Sequence, residues 1–468
     1  MDKHCGRYAS YPSCHFWLRS QLGPDLFRKA VKIYLERHRH GSVVTENLRA
    51  AIEEVTGNSF DRFFDQYVYH AHHPELKIGY SWDQKAKLAK ISVKQEQKVD
   101  DNVMLFHLSL PVRFQVGDQS VVRSMSLRKA EEDFYFPLPA APNLVRIDPE
   151  LTWLAKINFV PPVAMLHAQL ADSKDVVGRL LAVEALGKRK DKTSVDKLHG
   201  ALNKDRFHGV RIAASQALRS IGTEAAFDAL QTSTKQPDAR VRRQVVTDIG
   251  SFYKPAALAA LKKSLAGEKN PSVRGAVIKA LAGFGDAGAA GLVRKALASD
   301  SYRHELGDAA VAAMRKQDDP ADLDVLLKAL REDAKKFTAR GYGSGLRALA
   351  YLGRNEGDKS KVRRFLLGKA SHLNSRIRLA AIDSLGQLGD PKAIAALEKF
   401  ARGGEGSPER RTAESAIEKL RAARKPVDDF KNLRKEVTEL RNANENLSNQ
   451  LEDLEKRFES ALQSADKE

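Results

Sequence analysis

Cysteine is nearly absent from this sequence of 468 residues, and the two that occur, Cys5 and Cys14, lie close to its start. A disulfide framework is therefore excluded beyond that one pair, and nothing indicates an oxidising compartment. The sequence also lacks a run of about 18 apolar residues, so no membrane span is expected. No signal peptide is visible at the start. The sequence as it stands predicts a cytoplasmic protein, and a start further upstream would leave the location unknown.

The net charge of +18 is concentrated in one part of the chain. Residues 161–425 contain 49 Lys and Arg against 30 Asp and Glu, whereas the stretch from Pro426 onward contains 7 against 11. Such an excess favours an acidic partner, which is a protein surface, a nucleic acid or an anionic polymer. Aromatic residues for base stacking are sparse there, so nucleic acid is the less favoured partner. A solvated face without a dedicated ligand is the favoured interpretation of this excess.

A repeated pattern fills this basic region. An arginine is followed six residues later by a small or acidic residue and then an apolar one, as in Arg211 and Ala217-Leu218. The pairs recur every 31 to 36 residues, a period typical of helical solenoids. A glycine follows the first helix of each copy, where a left-handed cap is expected. The leading arginines are Arg179, Arg211, Arg242, Arg274, Arg378 and Arg410, the glycines are Gly187, Gly222, Gly250, Gly285 and Gly389, and two degenerate copies carry Ala313-Met314 and Ala348-Leu349.

These copies resemble HEAT repeats. One helix pair cannot bury its apolar stripes alone, whereas stacked pairs share a continuous core. The resemblance implies an α-solenoid over residues 161–425 that binds peptides or proteins. It says almost nothing about chemistry, because such solenoids serve many functions.

The first 75 residues are predicted to be helical. Leu18 to Arg37 is predicted as one helix, and Thr45 is predicted to cap a second helix that ends at Gly57. The elements Phe63-Phe64-Asp65-Gln66-Tyr67 and His73-Pro74-Glu75-Leu76 then follow in order. Their order and spacing resemble the end of the catalytic domain of gluzincin aminopeptidases, the zinc enzymes related to membrane alanyl aminopeptidase. The resemblance covers about residues 16–160.

The zinc-binding motif of that family is missing from the sequence. Gluzincins hold zinc with two histidines of an H-E-x-x-H helix, and the glutamate between them activates a water. The single His-Glu pair here is His304-Glu305, with Asp308 in place of the second histidine. We therefore expect no metal site and no cofactor in this chain, and no activity for the chain as written. The zinc-binding region would lie upstream of Met1, which we interpret as a false or truncated start.

Two further site predictions concern a single residue and a short cluster. The resemblance implies a catalytic tyrosine that stabilises the transition state, and by family position alone it falls at Tyr8, although the neighbouring Lys-Gly element is absent. His70, His72 and His73 are close enough in sequence to chelate a metal. The alternative, a surface or packing role, is favoured because the family has a non-catalytic loop there.

Residues 76–160 change from helical to strand periodicity. Alternating segments such as residues 76–82, 88–94 and 120–127 are separated by turn residues, which predicts a small antiparallel β-sandwich. Pro111 is predicted to lie at an edge or a bulge, because proline cannot donate to a ladder. The resemblance implies a structural domain without chemistry.

A heptad pattern follows Pro426, which stops the last repeat helix. Apolar residues alternate by three and four, which predicts a coiled coil and a parallel homodimer. Asn444 is the polar a-position residue that fixes register in such dimers. The alternative is a helix folded back on the solenoid. The seam consists of Phe430, Leu433, Val437, Leu440, Asn444, Leu447, Leu451, Leu454, Phe458 and Ala461.

The sequence thus predicts a multidomain, mainly α protein: the helical end of a catalytic domain at 1–75, a β-sandwich at 76–160, a HEAT-like solenoid at 161–425 and a coiled coil at 426–468. The first functional hypothesis is the C-terminal portion of a zinc aminopeptidase-family protein. The second is a non-catalytic, protein-binding scaffold, and a nucleic-acid binder is a distant third.

Overall fold

The computed structural model describes residues 18–422, 440–444 and 446–451. The chain divides between Ala260 and Leu261 into two compact units. Helices predominate in both units, and none of the helices among these residues is long and apolar enough to cross a bilayer. The two described stretches near the C-terminus are also helical.

The first unit begins with short helices. Residues 18–22 are helical, and three further helices follow. The last of these continues directly as a π-helix, a rare geometry with i to i+5 hydrogen bonds. The helices are α1 (Pro24–Arg37), α2 (Thr45–Thr56) and α3 (Asp61–Phe64), and the π-helix covers Asp65–Tyr69.

Two predictions for this segment were wrong in detail. A single helix from Leu18 to Arg37 does not form, because Gly23 has φ 75°, a left-handed conformation that interrupts the helix. Thr45 is the first residue of α2 rather than its cap. The cap is Val44, whose amide donates to Asn47 Oδ1 at 2.8 Å. Gly57 ends α2 as predicted, with φ 69°.

Two packed sheets follow the helices. The four-stranded sheet has the order β5-β2-β1-β7, and the three-stranded sheet has the order β4-β3-β6. Alternate residues of β3, from Leu108 to Phe114, are buried and join one core with residues of the other sheet. The strands are β1 (Glu75–Asp83), β2 (Leu88–Gln95), β3 (Leu108–Val116), β4 (Gln119–Leu127), β5 (Glu131–Pro137), β6 (Leu144–Ile147) and β7 (Lys156–Phe159).

The sheets depart from the predicted sandwich at two points. The strand β7 was missed, and it pairs with β1 in parallel, so the four-stranded sheet is mixed rather than antiparallel. Pro111 lies in β3, the central strand of its sheet, and not at an edge. It is tolerated there because it falls one residue beyond the β3–β6 ladder, where its carbonyl accepts from the Asp148 amide at 2.8 Å.

Paired helices make up the rest of both units. Those of the first unit are α4 (Val163–Ala171), α5 (Val176–Leu186), α6 (Lys192–Lys204), α7 (His208–Ile221), α8 (Glu224–Thr232) and α9 (Ala239–Ile249), and the helix α10 (Pro255–Gly267) contains the division between the units. Those of the second unit are α11 (Pro271–Leu281), α12 (Ala287–Ala298), α13 (Glu305–Gln317), α14 (Asp322–Glu332), α15 (Ala339–Gly353), α16 (Ser360–Lys369), α17 (Ser375–Leu388), α18 (Ile394–Ala401) and α19 (Pro408–Ala422).

The first helices of the repeats stack on one another within each unit. Helix α5 packs against α7, and α7 against α9; in the second unit α11, α13, α15, α17 and α19 pack in the same succession. Asp and Asn side chains begin many of these helices by accepting from backbone amides, as Asp175 does from the amide of Gly178. The predicted order of two helices per repeat is confirmed.

In three of the six regular copies, the arginine of the pattern fastens its helix to the loop before it. Arg179 is buried, and its Nη1 donates to the Asp172 carbonyl at 2.8 Å while its Nε donates to Asp205 Oδ2 at 2.7 Å. Arg242 and Arg378 donate in the same way to the carbonyl six residues earlier. The arginine is therefore a structural residue of the repeat.

The glycine prediction was only partly right. Gly222 and Gly389 are left-handed, with φ 70° and 68°. Gly187 and Gly250 keep right-handed values, φ −63° and −64°, and Gly285 is not left-handed either. At Gly187 the reason for glycine is packing, because a Cβ atom there would lie 2.9 Å from the Cβ of Ala217.

Candidate functional site

A cluster of cations and aromatic rings lies on the second unit, where α14, α15 and α16 meet. Arg331 of α14 lies over the Phe365 ring, with its Cζ atom 5.5 Å from the ring centroid. Lys369 Nζ lies 5.6 Å from the same centroid and 5.7 Å from that of Tyr342. Cations within about 6 Å of a ring face are attracted by its quadrupole. We call Arg331, Arg364, Phe365 and Lys369 the basic cluster.

The cations of the basic cluster differ from their neighbours in having no acidic partner. Lys361 pairs with Asp324, and Arg363 lies 20% exposed against Asp390. Among the residues that the structure describes, no carboxylate lies within ion-pair distance of Arg331, Arg364 or Lys369. The cluster is therefore an uncompensated positive surface with an aromatic centre.

Tyr342 supports this surface from below. The ring is buried, and its hydroxyl donates to the Leu330 carbonyl at 2.9 Å. Burial raises the pKa of Tyr342 to about 12, so the hydroxyl stays neutral and keeps donating at physiological pH. This site was not predicted from the sequence, although the run Arg363-Arg364-Phe365 offered a signal.

The histidines singled out in the sequence do not form a zinc site. His304 is buried, its ring meets the Phe337 ring edge to face with 4.3 Å between centroids, and its Nε2 lies against Gly307. His70 donates toward Asp65, and the rings of His72 and His73 lie 6.4 Å apart. Over residues 18–422, 440–444 and 446–451, no group of three His, Cys, Asp or Glu is placed to hold a metal ion. These residues do not fit the tetrahedral ligand set that zinc requires.

Several predicted site residues lie outside the described part of the chain. These are Tyr8 and most of the predicted coiled-coil seam, and the two cysteines, Cys5 and Cys14, lie outside it as well. The described seam residues Leu440, Leu447 and Leu451 are each about 60% exposed on helical segments.

Comparison with known proteins identifies the repeats. The family model described as HEAT repeats matches residues 163–248, 233–309, 258–341 and 345–418, which is more than half of the chain. The repeat architecture therefore defines an α-helical repeat protein. The chain belongs to the HEAT repeat family.

Two aminopeptidases are also similar to this chain. A puromycin-sensitive aminopeptidase of Caenorhabditis elegans is 22% identical over 170 residues, which are 35% of this chain and 18% of that protein. The chain thus spans less than a fifth of that relative. The crystal structure of Legionella pneumophila aminopeptidase A in complex with aspartic acid matches 87% of this chain and 56% of that chain, with a TM-score of 0.38 and 10% identity. The chain is therefore a HEAT-repeat protein, and over 170 residues its sequence is weakly similar to one aminopeptidase.

Proposed function

We propose that this chain is the C-terminal portion of a zinc aminopeptidase-family protein of the gluzincin type, in which the HEAT repeats bind peptides or proteins. The aminopeptidase similarity over 170 residues and the gluzincin-like elements of residues 63–76 support the first part. The described residues do not fit zinc, so we propose no hydrolytic step for this chain and expect it to be inactive as written.

The basic cluster is the observation that carries the binding role. Its cations have no acidic partner among the described residues, and two of them, Arg331 and Lys369, lie over an aromatic ring that can pack against an apolar side chain. An acidic segment of a protein could bring carboxylates to Arg331 and Arg364 and an apolar group to Phe365. Charge-assisted hydrogen bonds of arginine to carboxylates are among the stronger polar contacts in proteins.

The catalytic part of the proposal is tested with zinc content and hydrolysis of an aminoacyl-anilide. Both are measured on this chain and on the gene product extended upstream. Zinc and activity in the extended form alone would support an aminopeptidase-family protein of which this chain is a part. Zinc and activity in neither form would contradict the aminopeptidase assignment and leave the non-catalytic scaffold.

The binding part is tested with a fluorescent glutamate-rich peptide and anisotropy. We expect binding that weakens with salt and falls at least about tenfold in the double variant Arg331→Glu/Arg364→Glu. The variant Lys361→Glu is the control, because it reverses a charge on the same helix that already has an acidic partner. Equal losses in both variants would refute the cluster as the binding surface. Tighter, salt-dependent retention of DNA would favour the nucleic-acid alternative.

We also propose a parallel homodimer through the heptad seam of Phe430–Ala461. The exposed leucines at 440, 447 and 451 favour it, because they are spaced by seven and four residues on one helical face. Leu447→Asp should convert a dimer to a monomer in sedimentation. Asn446→Asp should not, because it adds the same charge at an exposed position outside the seam. A wild-type chain that sediments as a monomer at micromolar concentration would contradict this proposal.

A further inference from the structure

A second site lies in the first unit, between the N-terminal helices and the segment that leads into β3. It is an open pocket of about 900 Å³, within the usual size range of small-molecule sites. Arg62, Asp65 and Tyr69 line it from the helical side, and Met104, Leu105 and His107 line it from the other. Residues from distant parts of the sequence therefore converge on one cavity.

Arg62 is the cation of this pocket that no acidic group neutralises. Its Nη1 donates to His107 Nδ1 at 2.9 Å, and no carboxylate within the described chain forms an ion pair with it. The two acids that line the pocket are engaged elsewhere. Asp61 pairs with Arg49 and accepts from Ser59 Oγ, and Asp65 lies 3.1 Å from His70 Nδ1.

His107 adds a second donor beside Arg62. Burial lowers the pKa of the His107 imidazole, and the charges of Arg62 and Arg128 lower it further. The ring is therefore neutral at physiological pH, and because Nδ1 accepts from Arg62, its proton is on Nε2. Arg62 and His107 together present N–H donors, which suits an anionic acceptor.

Two hydrogen bonds with Gln66 fix the backbone of His107 at the edge of the pocket. Gln66 is only 3% exposed, and its amide holds the His107 backbone with both atoms, Oε1 accepting at 2.6 Å and Nε2 donating at 3.2 Å. Gln66 belongs to the π-helix Asp65–Tyr69, which contributes three pocket-lining residues. π-helical turns occur frequently at functional sites.

We infer that this pocket binds a small ligand with a carboxylate on Arg62 and His107 and an apolar body against Met104, Leu105 and the buried Phe64. A carboxylate matches the planar fork of the guanidinium, and the apolar wall gives the rest of the ligand a surface to bury. Neither the repeats nor a zinc ion is needed for this binding, so it stands apart from the function proposed above.

Calorimetric titration of the full chain with N-acetylleucine and with its amide tests the inference. We expect the acid to bind at least about tenfold more tightly than the amide, which is the range expected for a charge-assisted contact. Arg62→Gln should remove this preference. Arg28→Gln should keep it, because Arg28 is 78% exposed and pairs with Asp25 outside the pocket.

Three results of the calorimetric titration would overturn the inference. They are equal binding of the acid and the amide, an unchanged preference in Arg62→Gln, and no heat with either ligand at millimolar concentration. Inorganic phosphate that competes as strongly as N-acetylleucine would also overturn it, because the site would then select charge rather than a carboxylate with an apolar body.

Discussion

Repeat helices that carry the arginine differ from the two degenerate copies in how the start of the helix is held. In the first unit Arg179 is buried and donates both to the Asp172 carbonyl and to the Asp205 carboxylate. In the second unit the corresponding positions of α13 and α15 are Gly307 and Tyr342. A charged pair has therefore been replaced by a small residue in one copy and by a neutral hydroxyl in the other.

The replacement at Gly307 leaves polar atoms without partners. The His304 ring occupies the space above Gly307, where an added Cβ atom would overlap its Nε2. His304 Nε2 and Asp308 Oδ1 are buried without a hydrogen-bond partner among the described residues. Buried polar atoms of this kind cost stability.

The pKa values of Asp175 and Asp308 are shifted in opposite directions. Burial alone would raise the pKa of Asp175, but hydrogen bonds from Arg146 and the Gly178 amide outweigh it and the pKa is lowered. Burial raises the pKa of Asp308, and Lys279 and Arg340 only partly oppose it. Hydrogen bonds therefore outweigh burial at Asp175, whereas burial prevails at Asp308 and also at Asp322, although Arg294 donates to Asp322.

The largest expected effect comes from removing an arginine of a regular repeat. Arg179→Met keeps most of the volume but leaves the Asp205 carboxylate, 7% exposed, without its partner. Breaking a buried pair in this way costs about 3–5 kcal/mol of unfolding free energy. Urea denaturation measures it, with Arg189→Met as an exposed control. A loss no larger than that of the control would mean that Arg179 does not hold the repeat.

The sequence predicted the regular repeats well because their helices depend on local signals. The arginine, the apolar stripe and the capping Asp or Asn all lie within one helix pair, and the strand alternation is equally local. The pocket could not be predicted, because Gln66 and His107 are 41 residues apart and no short period links them. The prediction of a left-handed cap was wrong at Gly187. Glycine is required there by the contact with Ala217 and not by the backbone conformation.

The domain division and the coiled coil remain predictions. The domain division rests on changes of periodicity in the sequence. Most of the coiled-coil seam lies outside the described residues. The parallel pairing of β7 was missed because Lys156–Phe159 is a short strand that pairs with β1, far away in sequence. A four-residue strand gives too little alternation to be detected.

A smaller effect is expected from filling the space above Gly307. Gly307→Ala should destabilise the second unit by about 1–3 kcal/mol, because the His304 ring is packed against Phe337 and has little room to move. Gly200→Ala is the matched control in α6. No atom lies within 4 Å of its added Cβ, so that change should stabilise by up to about 1 kcal/mol. Stabilisation in both variants would show that His304 does not occupy this space.

Removing the charge of Asp308 should stabilise the second unit. Asp308→Asn keeps the shape and removes a carboxylate whose Oδ1 is buried and unpartnered among the described residues, for a gain of about 1 kcal/mol near neutral pH. Thermal unfolding measures the change, with the exposed Asp324→Asn as control. An equal gain in the control would attribute the effect to net charge alone.

The raised pKa of Asp308 also predicts how the stability of the protein changes with pH. The folded state raises the pKa of Asp308, so it binds the proton more tightly than the unfolded state, and stability should fall as pH rises from the unfolded pKa through the raised one. Asp308→Asn should remove that fall. Burial and Lys336 lower the pKa of His304, so its contribution is lost in the opposite direction, as pH drops below the usual histidine range. Asp308→Asn should therefore still lose stability as the pH drops below the usual histidine range.

The smallest effect concerns the backbone that places His304 beside Gly307. Arg303 and His304 are both left-handed, with φ 53° and 57°, a conformation that costs an ordinary residue about 1 kcal/mol or more. The Arg303 side chain is exposed, and its closest ring contact is weak, because its Cζ atom lies 5.8 Å from the Tyr302 ring centroid. Arg303→Gly should therefore stabilise the second unit by roughly 0.5–1 kcal/mol.

The same substitution in a right-handed helix should have the opposite sign. Arg411→Gly, at an exposed position of α19, should cost about 1 kcal/mol, because glycine is a poor residue for a helix interior. Denaturation of both variants under one set of conditions compares them directly. If both lose stability, Arg303 is not strained in the folded protein. Suppose instead that Arg303→Gly stabilises the protein and Arg411→Gly destabilises it. The loop that holds His304 in the copy of Gly307 is then strained, whereas the described regular repeats have no such loop.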